Sequence, residues 1–128
     1  MAMTQAMNMA GVDAKQVDGI NLHGTASQAN DRIEAAVLQK LFSSKTLASS
    51  TKGWTGHTLG AAGSVEAIIA INALHTGFFP GTMNLEKTDP EVHFPISREN
   101  SNGSYSYVMS NSFGFGGNNC SLLFGAAV

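Results

Sequence analysis

The apolar residues of this chain recur at helical spacing in three stretches, residues 1–10, 31–42 and about 59–75. Gly11 follows the first stretch and Gly77 follows the third, and a glycine after the last turn is a common helix stop. The predicted inward faces hold Met3, Met7 and Ala10, then Ile33, Val37, Leu38 and Leu41, and finally Val65, Ile68, Ile69 and Leu74. Small residues at 60–63 open the third helix, so another backbone can pack closely there.

Shorter apolar runs at 17–22, 46–51, 105–110 and 119–124 indicate strands, and a turn at 114–118 joins the last two. Residues 78–93 contain Pro80 and Pro90, which favour a loop or an edge segment. Helices and strands therefore alternate along the chain, without a repeat or a linker. This order predicts one layered α/β domain over residues 1–128.

The composition narrows the class of protein. A chain of 128 residues, 43% hydrophobic and 12% charged, can bury a substantial core. The net charge of −2 provides no basic surface for nucleic acid or an anionic membrane. The longest strongly apolar run, residues 65–74, contains Glu66 and Asn72 and is too short to cross a bilayer. A single cysteine cannot form an internal disulfide and no signal sequence is recognisable, so we expect a cytoplasmic location.

Two histidines lie in glycine-rich segments suited to acyl chemistry. His23 follows a predicted strand in His23-Gly24-Thr25, at the sheet edge where open α/β folds bind ligands. The hydroxyls of Thr25 and Ser27 could hydrogen-bond a substrate amide. A half-buried histidine that caps a turn is an equally good interpretation of this motif alone.

The second histidine, His57, shares its loop with Lys52. The lysine and the start of the following helix favour an uncharged imidazole, which can donate to a forming oxyanion or enolate. A purely structural role is as well supported. Lys52 and Glu34 are predicted to form an ion pair that joins the two histidine loops, the alternative being two solvated charges. Asp31 is interpreted as an early-helix carboxylate that stabilises the helix N-terminus.

A third segment places glycines on both sides of Phe115, within residues 111–118. Gly114 and Gly116 permit unusual backbone angles, so an N–H group could point at a substrate. A tight hairpin turn with packed aromatics is the simpler alternative. Cys120, in an apolar run, is predicted to be a buried small side chain rather than a nucleophile. Met7 and Met9 are assigned to the core, and no metal site is predicted because His75 and His93 lack ligand-type spacing.

Together, His-Gly-Thr, Lys-x-x-x-Gly-His-x-x-Gly-Ala-Ala-Gly and Asn-Ser-Phe-Gly-Phe-Gly-Gly-x-Asn resemble the C-terminal half of β-ketoacyl-acyl carrier protein synthases. The resemblance runs from about Val12 to the end of the chain. It implies half of a thiolase-like α/β fold, with a layered mixed sheet and helices, in a parent enzyme that is usually a homodimer. The implied reaction is decarboxylative condensation of malonyl-acyl carrier protein with an acyl-cysteine, in fatty acid or polyketide synthesis. The substrate is carried on phosphopantetheine, and no other cofactor is implied.

The resemblance also assigns roles. His23 and His57 would donate to the malonyl thioester oxygen as its enolate forms, and Lys52 would order the site while paired with an acid at Glu34. Phe115 would be the gating aromatic, and its backbone N–H would supply half of the oxyanion hole. Thr25 and Ser27 would hold the phosphopantetheine arm, Phe113 and Gly116 would contact substrate, and Glu34 and Asp31 would support the site.

The chain departs from the family pattern in three ways. The nucleophilic cysteine belongs to the N-terminal half of these enzymes, and Cys120 does not match it. Gln28 and Asn30 replace the usual proline and glycine, so the loop on the pantetheine side should differ in shape. The chain begins inside what should be a helix, which indicates a fragment. We therefore expect no condensing activity from this polypeptide alone.

Two other functions remain open at this point. One is a non-catalytic partner, such as a chain-length-factor-like subunit or an acyl-carrier-protein-binding module. Intact His23, Lys52, His57 and Phe115 argue against it, since binding alone does not need them. The other is a thiolase, which shares the fold. Thiolases generally carry a Cys-x-Gly motif in this half, and Cys120-Ser121-Leu122 does not fit it.

Overall fold

A computed structural model describes residues 1–127. The helices are α1 (Ala2–Ala10), α2 (Gln28–Leu41), α3 (Lys52–Thr55) and α4 (Ala62–Thr76). The strands are β1 (Gly19–Asn21), β2 (Leu47–Ser49), β3 (Phe78–Phe79), β4 (Ser101–Asn102), β5 (Tyr107–Phe113) and β6 (Asn119–Gly125). Short 3₁₀ turns lie at Ala14–Gln16, Leu59–Ala61 and Phe115–Gly117.

The main sheet of the described residues has four strands in the order β2-β1-β5-β6. β1 runs parallel to both β2 and β5, in a register that places Asn21 between Ser49 and Ser110. β6 closes the order as an antiparallel partner of β5. Because parallel strands end at the same edge of a sheet, the residues after β1, β2 and β5 meet there. These residues include His23, Lys52 and the loop that begins at Gly114.

The core forms two layers, one on each face of the sheet. Alternate residues of a strand point to opposite faces, so Val108 and Met109 of β5 join different clusters. One cluster packs α1 and α2 on the sheet, and the other packs α4 on its opposite face. The predicted α/β layering is therefore confirmed, as are the helix stops at Gly11 and Gly77, whose φ angles are 65° and 70°.

Several predicted core positions are wrong. Met9 and Ala10 are exposed on α1. Ile33 on α2 is 68% exposed. The face of α2 that packs inward instead carries Glu34, Ala35 and Leu38. On α4 the prediction chose the large apolar residues, yet Ile68 is 59% exposed. The buried residues of α4 are instead Ala62, Glu66, Ala70 and Ala73. Small side chains allow the helix to lie close to the sheet, and a Cβ on Gly63 would come within 3.3 Å of the Ser112 hydroxyl.

The helical stretch Leu59–Thr76 is longer than the apolar run seen in the sequence. By length and composition it is the one helix within residues 1–127 that could cross a membrane, with a mean hydropathy of 1.2. Its buried side packs against β5 and carries Glu66, which is paired with Lys52. These contacts are those of a helix within a globular α/β domain.

Candidate active site

The two glycine-rich loops bring their histidines together. The ring centroids of His23 and His57 are 5.7 Å apart, and the rings meet edge to face at 87°. The ring centroid of Phe113 is also 5.7 Å from that of His23. His23 is buried and His57 is exposed, so the pair has one protected and one accessible member. The predicted convergence of the two imidazoles is confirmed.

Glu34 fixes the backbone of the His23 loop. Its side chain is buried, and its two oxygens accept hydrogen bonds from the N–H groups of His23 and Gly24, both at 3.0 Å. The side-chain amides of Asn111 and Asn30 donate to the same carboxylate, at 3.0 and 3.4 Å. Burial raises the pKa of Glu34, and these four donors oppose that rise. Each carboxylate oxygen thus receives two donors, an arrangement that holds the loop in one position.

The predicted ion pair between Lys52 and Glu34 is wrong. Lys52 pairs with Glu66 of α4, and both side chains are buried. Burial raises the pKa of Glu66, against the opposing effects of Lys52 and His57. The second carboxylate oxygen of Glu66 is buried without a hydrogen-bond partner among residues 1–127. Glu66 was missed because the sequence analysis treated it only as an interruption of an apolar run; an acid within such a run is the signal that could have found it.

Hydrogen bonding defines which nitrogen of His57 carries the proton. Its Nδ1 accepts the backbone N–H of Leu59 at 3.1 Å. An imidazole nitrogen that accepts a hydrogen bond has no proton of its own, so the neutral ring carries its proton on Nε2. Nε2–H is therefore the donor that His57 can offer to a substrate oxygen.

His23 is held in its uncharged form. Burial, together with the positive charge of Lys52 and the proximity of His57, lowers its pKa to about 4. Its Nδ1 is buried without a partner among the described residues. At pH 7 the imidazole is neutral, so it can act as a hydrogen-bond donor or acceptor without a net charge.

The lowered pKa of His23 predicts a pH dependence of stability. Between pH 6.5 and about 4 the unfolded chain binds the His23 proton and the folded chain does not, so stability falls as the pH falls through this range. Allowing for solvent on the side of His57, we expect a loss of about 1–2 kcal/mol in the free energy of unfolding. Urea unfolding at a series of pH values measures it.

The matched control is His23→Gln. The raised pKa values of Glu34 and Glu66 affect the free energy of unfolding in the opposite direction. Because the folded chain binds these two protons more tightly than the unfolded chain does, this contribution makes stability fall as the pH rises. The difference between the two pH profiles isolates His23, and equal slopes between pH 4 and 6.5 would contradict the assignment.

Ser50 joins the two histidine loops. Its hydroxyl donates to the Gly24 carbonyl at 2.8 Å and accepts the Lys52 N–H at 3.4 Å. Gly24 has a φ of 39°, and a Cβ there would lie 2.5 Å from that of Ser50. Glycine is therefore required at position 24 both by the backbone angle and by the close approach of the second loop.

The predicted substrate hydroxyls lie in the turn between His23 and α2, where Ser27 is exposed. Thr25 donates to the Ser27 hydroxyl at 3.2 Å, and that hydroxyl caps α2 by accepting the Asn30 N–H at 3.3 Å. Thr25 lines a cavity of about 540 Å³ that also touches His57 and Lys52. Asn30, at the position where the family resemblance predicts a glycine, donates to Asp31 in the first turn of α2 and to Glu34. The replacement thus adds hydrogen bonds to the supporting carboxylates.

The phenylalanine–glycine loop is a hairpin turn between β5 and β6. Phe115 is fully exposed at its tip, and Gly116 and Gly117 have φ angles of 79° and 84°. The loop is closed by the Gly114 N–H, which donates to the Asn118 carbonyl at 2.9 Å. The structure therefore brings Phe113 to His23 and leaves Phe115 in solvent.

Cys120 does not have the environment predicted for it. The side chain is exposed on β6, opposite Ser112 of β5. It was expected in the core because its neighbours are apolar, but β6 is the last strand of the sheet and much of it is exposed. Within residues 1–127, no group of three or more histidine, cysteine, aspartate or glutamate side chains is placed to hold a metal ion.

Comparison with known protein families shows which family this chain belongs to. The sequence model for the C-terminal domain of β-ketoacyl synthases matches residues 1–86. The chain belongs to the β-ketoacyl synthase family.

Individual β-ketoacyl synthases match almost the whole chain. It is 46% identical to the mitochondrial 3-oxoacyl-[acyl-carrier-protein] synthase of Arabidopsis thaliana, over 97% of this chain and 28% of that protein. It is 36% identical to 3-oxoacyl-[acyl-carrier-protein] synthase 2 of Mycobacterium tuberculosis, over 97% of this chain and 30% of that protein. The chain thus spans under a third of the length of these curated relatives.

Solved structures of the family share the fold. A β-ketoacyl synthase from Burkholderia phymatum superposes with a TM-score of 0.90 at 34% identity, over 100% of this chain and 33% of that one. The ishigamide ketosynthase/chain length factor superposes with a TM-score of 0.93 at 31% identity, over 98% and 32%. The predicted thiolase-like fold, and the match to the C-terminal part of a β-ketoacyl synthase, are confirmed.

Proposed function

We propose that this chain supplies the enolate-stabilising part of a 3-oxoacyl-[acyl-carrier-protein] synthase. The observation that carries the proposal is the pair of imidazoles of His23 and His57. Their ring centroids are 5.7 Å apart, and His23 is kept neutral. Neutral imidazoles donate hydrogen bonds to an oxygen on which negative charge develops. A thioester oxygen placed between the rings would receive such donors.

The chemistry follows from that placement. Loss of CO2 from a malonyl thioester leaves the electron pair of the broken carbon–carbon bond as an enolate, whose oxygen accepts the Nε2–H of His57. Because Nδ1 of His23 is buried, its Nε2 is the nitrogen left to face the same oxygen. The enolate carbon then attacks an acyl thioester on a cysteine, and the cysteine thiolate leaves as the new carbon–carbon bond forms.

The nucleophile must come from outside this chain. Its single cysteine, Cys120, lies exposed on β6 after the hairpin, with Ser112 opposite it on β5. We assign the nucleophile to an N-terminal half that this chain would pack against. Exposed apolar residues on α4 and β6 (Ile68, Ile71 and Leu122) are suited to such a contact.

The remaining roles rest on the family resemblance. The acyl carrier protein would deliver the malonyl group on phosphopantetheine, with Thr25 and Ser27 beside the arm and the Phe115 N–H contributing to the oxyanion hole. The complete enzyme would be a homodimer. A cytoplasmic location is proposed from the composition, while one curated relative is mitochondrial.

A chain-length-factor-like role is the second candidate, because one structural neighbour is a ketosynthase/chain length factor at 31% identity. Such a subunit would not need a neutral histidine beside a buried lysine–glutamate pair. The retention of His23, His57 and Lys52 in one site therefore favours catalysis.

A chimera tests the proposal. The N-terminal region of the Arabidopsis relative, fused ahead of this chain, should release CO2 from malonyl-acyl carrier protein and form a 3-oxoacyl product. The chain alone should form no product. Background CO2 release from a folded chimera would favour the non-catalytic candidate, and condensation by the chain alone would contradict the assignment of the nucleophile.

A further inference from the structure

Asn102 and Gly103 form the one Asn-Gly pair in the sequence. Both residues are exposed, Asn102 at the end of β4 and Gly103 in the bend that follows. The side-chain carbonyl carbon of an asparagine can form a five-membered ring with the backbone nitrogen of the next residue. Glycine lacks a Cβ, so it hinders this ring closure less than any other residue. The pair is therefore suited to an intramolecular reaction at the surface.

The structure holds the Gly103 nitrogen at the end of α4. Its N–H donates to the carbonyl of Gly77 at 2.8 Å, and Gly77 is the left-handed residue that follows the helix. The two glycines approach closely, since a Cβ on Gly77 would lie 2.3 Å from the Gly103 carbonyl oxygen. The nitrogen that would attack Asn102 is thus occupied while this contact is closed.

The contact between Gly103 and Gly77 can open locally. It lies beside the antiparallel pair of β3 and β4, which contribute two residues each, and Phe78 faces Asn102 in that pair. Phe78 and Asn102 are both exposed. Short ladders with solvent-exposed hydrogen bonds open at a lower free energy than the core strands of a domain. The Gly103 nitrogen is therefore released from time to time without unfolding of the whole chain.

We propose that Asn102 is a site of deamidation, which the hydrogen bond between Gly103 and Gly77 slows. When this bond opens, the Gly103 nitrogen gives its proton to a solvent base and attacks Cγ of Asn102. The bond from Cγ to the side-chain nitrogen breaks, and that nitrogen leaves as ammonia. Water then opens the resulting succinimide at either carbonyl and produces aspartate or isoaspartate. The reaction consumes one water, releases one ammonia and involves no oxidation.

Either product should change the contact with α4. The new carboxylate adds a negative charge near the C-terminus of a helix, where the last carbonyls already carry partial negative charge. Isoaspartate also inserts a methylene group into the backbone at residue 102, so the Gly103 N–H no longer meets the Gly77 carbonyl. We expect the modified chain to lose this hydrogen bond. The inference uses residues outside the histidine site and does not depend on the proposed function.

Incubation of the purified chain in mildly alkaline buffer, followed by proteolysis and mass spectrometry, tests the site. The peptide that contains Asn102 should gain one mass unit and separate into aspartate and isoaspartate forms. Gly103→Ala should slow the reaction about fivefold, because a Cβ restricts the backbone and hinders ring closure. This variant should fold, since the added Cβ would lie 3.4 Å from the Tyr105 ring. Asn102→Gln, which cannot close a five-membered ring, should remain unmodified over the same period.

The same reaction in urea tests the role of the hydrogen bond. Asn102 should react about two- to tenfold faster in the unfolded chain, the range that one net hydrogen bond provides. Exposed Asn8 and Asn100 are internal controls and should react more slowly than Asn102 in both states. An equal rate at Asn102 with and without urea would overturn the role of Gly77. A folded chain unmodified at Asn102, or an equal rate in Gly103→Ala, would overturn the site.

Discussion

In the completed chimera, His57→Ala is expected to lower the rate of malonyl decarboxylation roughly 10²–10³-fold, the effect of removing one donor to a developing oxyanion. Nδ1 of His57 is occupied by the Leu59 N–H, so its Nε2–H is the donor that is lost. His57→Gln keeps an N–H donor and should recover part of the rate. The loss should fall on kcat rather than on KM, since the donor acts mainly as charge forms. CO2 release from malonyl-acyl carrier protein measures it.

The control for this prediction is His75→Ala. His75 is exposed near the C-terminal end of α4, so its removal should leave the rate unchanged. His23→Ala should cause a loss similar to His57→Ala, and the double variant should lose less than the product of the two, because both donors serve one oxygen. A His57→Ala chimera with more than half of the original rate would contradict this role.

Breaking the buried Lys52–Glu66 pair should strongly destabilise the chain. Glu66→Ala leaves the Lys52 charge buried beside the imidazoles, and removal of one partner from a buried pair costs about 3–5 kcal/mol. That loss is a large part of the stability of a small domain. Urea unfolding followed by circular dichroism measures the free energy of unfolding.

The double variant Lys52→Met with Glu66→Leu separates an unpaired charge from a loss of packing. It removes both charges and keeps apolar volume, so it should recover most of the stability lost in Glu66→Ala. Lys15→Met, which breaks the exposed pair with Asp13, should change the free energy of unfolding by less than about 1 kcal/mol. A double variant less stable than Glu66→Ala would contradict the explanation.

The order of elements could be predicted from the sequence because local signals define it. Helical spacing located α1, α2 and α4, and glycine located the ends of α1 and α4. The choice of buried face on α4 failed for a physical reason. Periodicity identifies apolar residues, but a helix that lies close to a sheet buries its alanines and leaves Ile68 outside. Close approach is a tertiary property that the sequence of one helix does not specify.

The candidate site likewise has some features that the sequence predicts and others that depend on tertiary packing. His23 and Lys52 follow neighbouring parallel strands, so their meeting at one sheet edge could be predicted. The partner of Lys52 could not, since two acids were available and only the packing of α4 on β5 selects Glu66 over Glu34. The prediction that Cys120 is buried was wrong because apolar neighbours in a strand do not show that the strand lies at the end of its sheet.

The central claim, that the imidazole of His23 is uncharged at the place where an enolate would form, is tested most directly by a ¹³C NMR titration of the His23 ring, assigned with His23→Gln. The account predicts a ring that stays neutral as the pH falls below 6 and titrates with a pKa near 4. A transition at the ordinary histidine value of about 6.5 would contradict it.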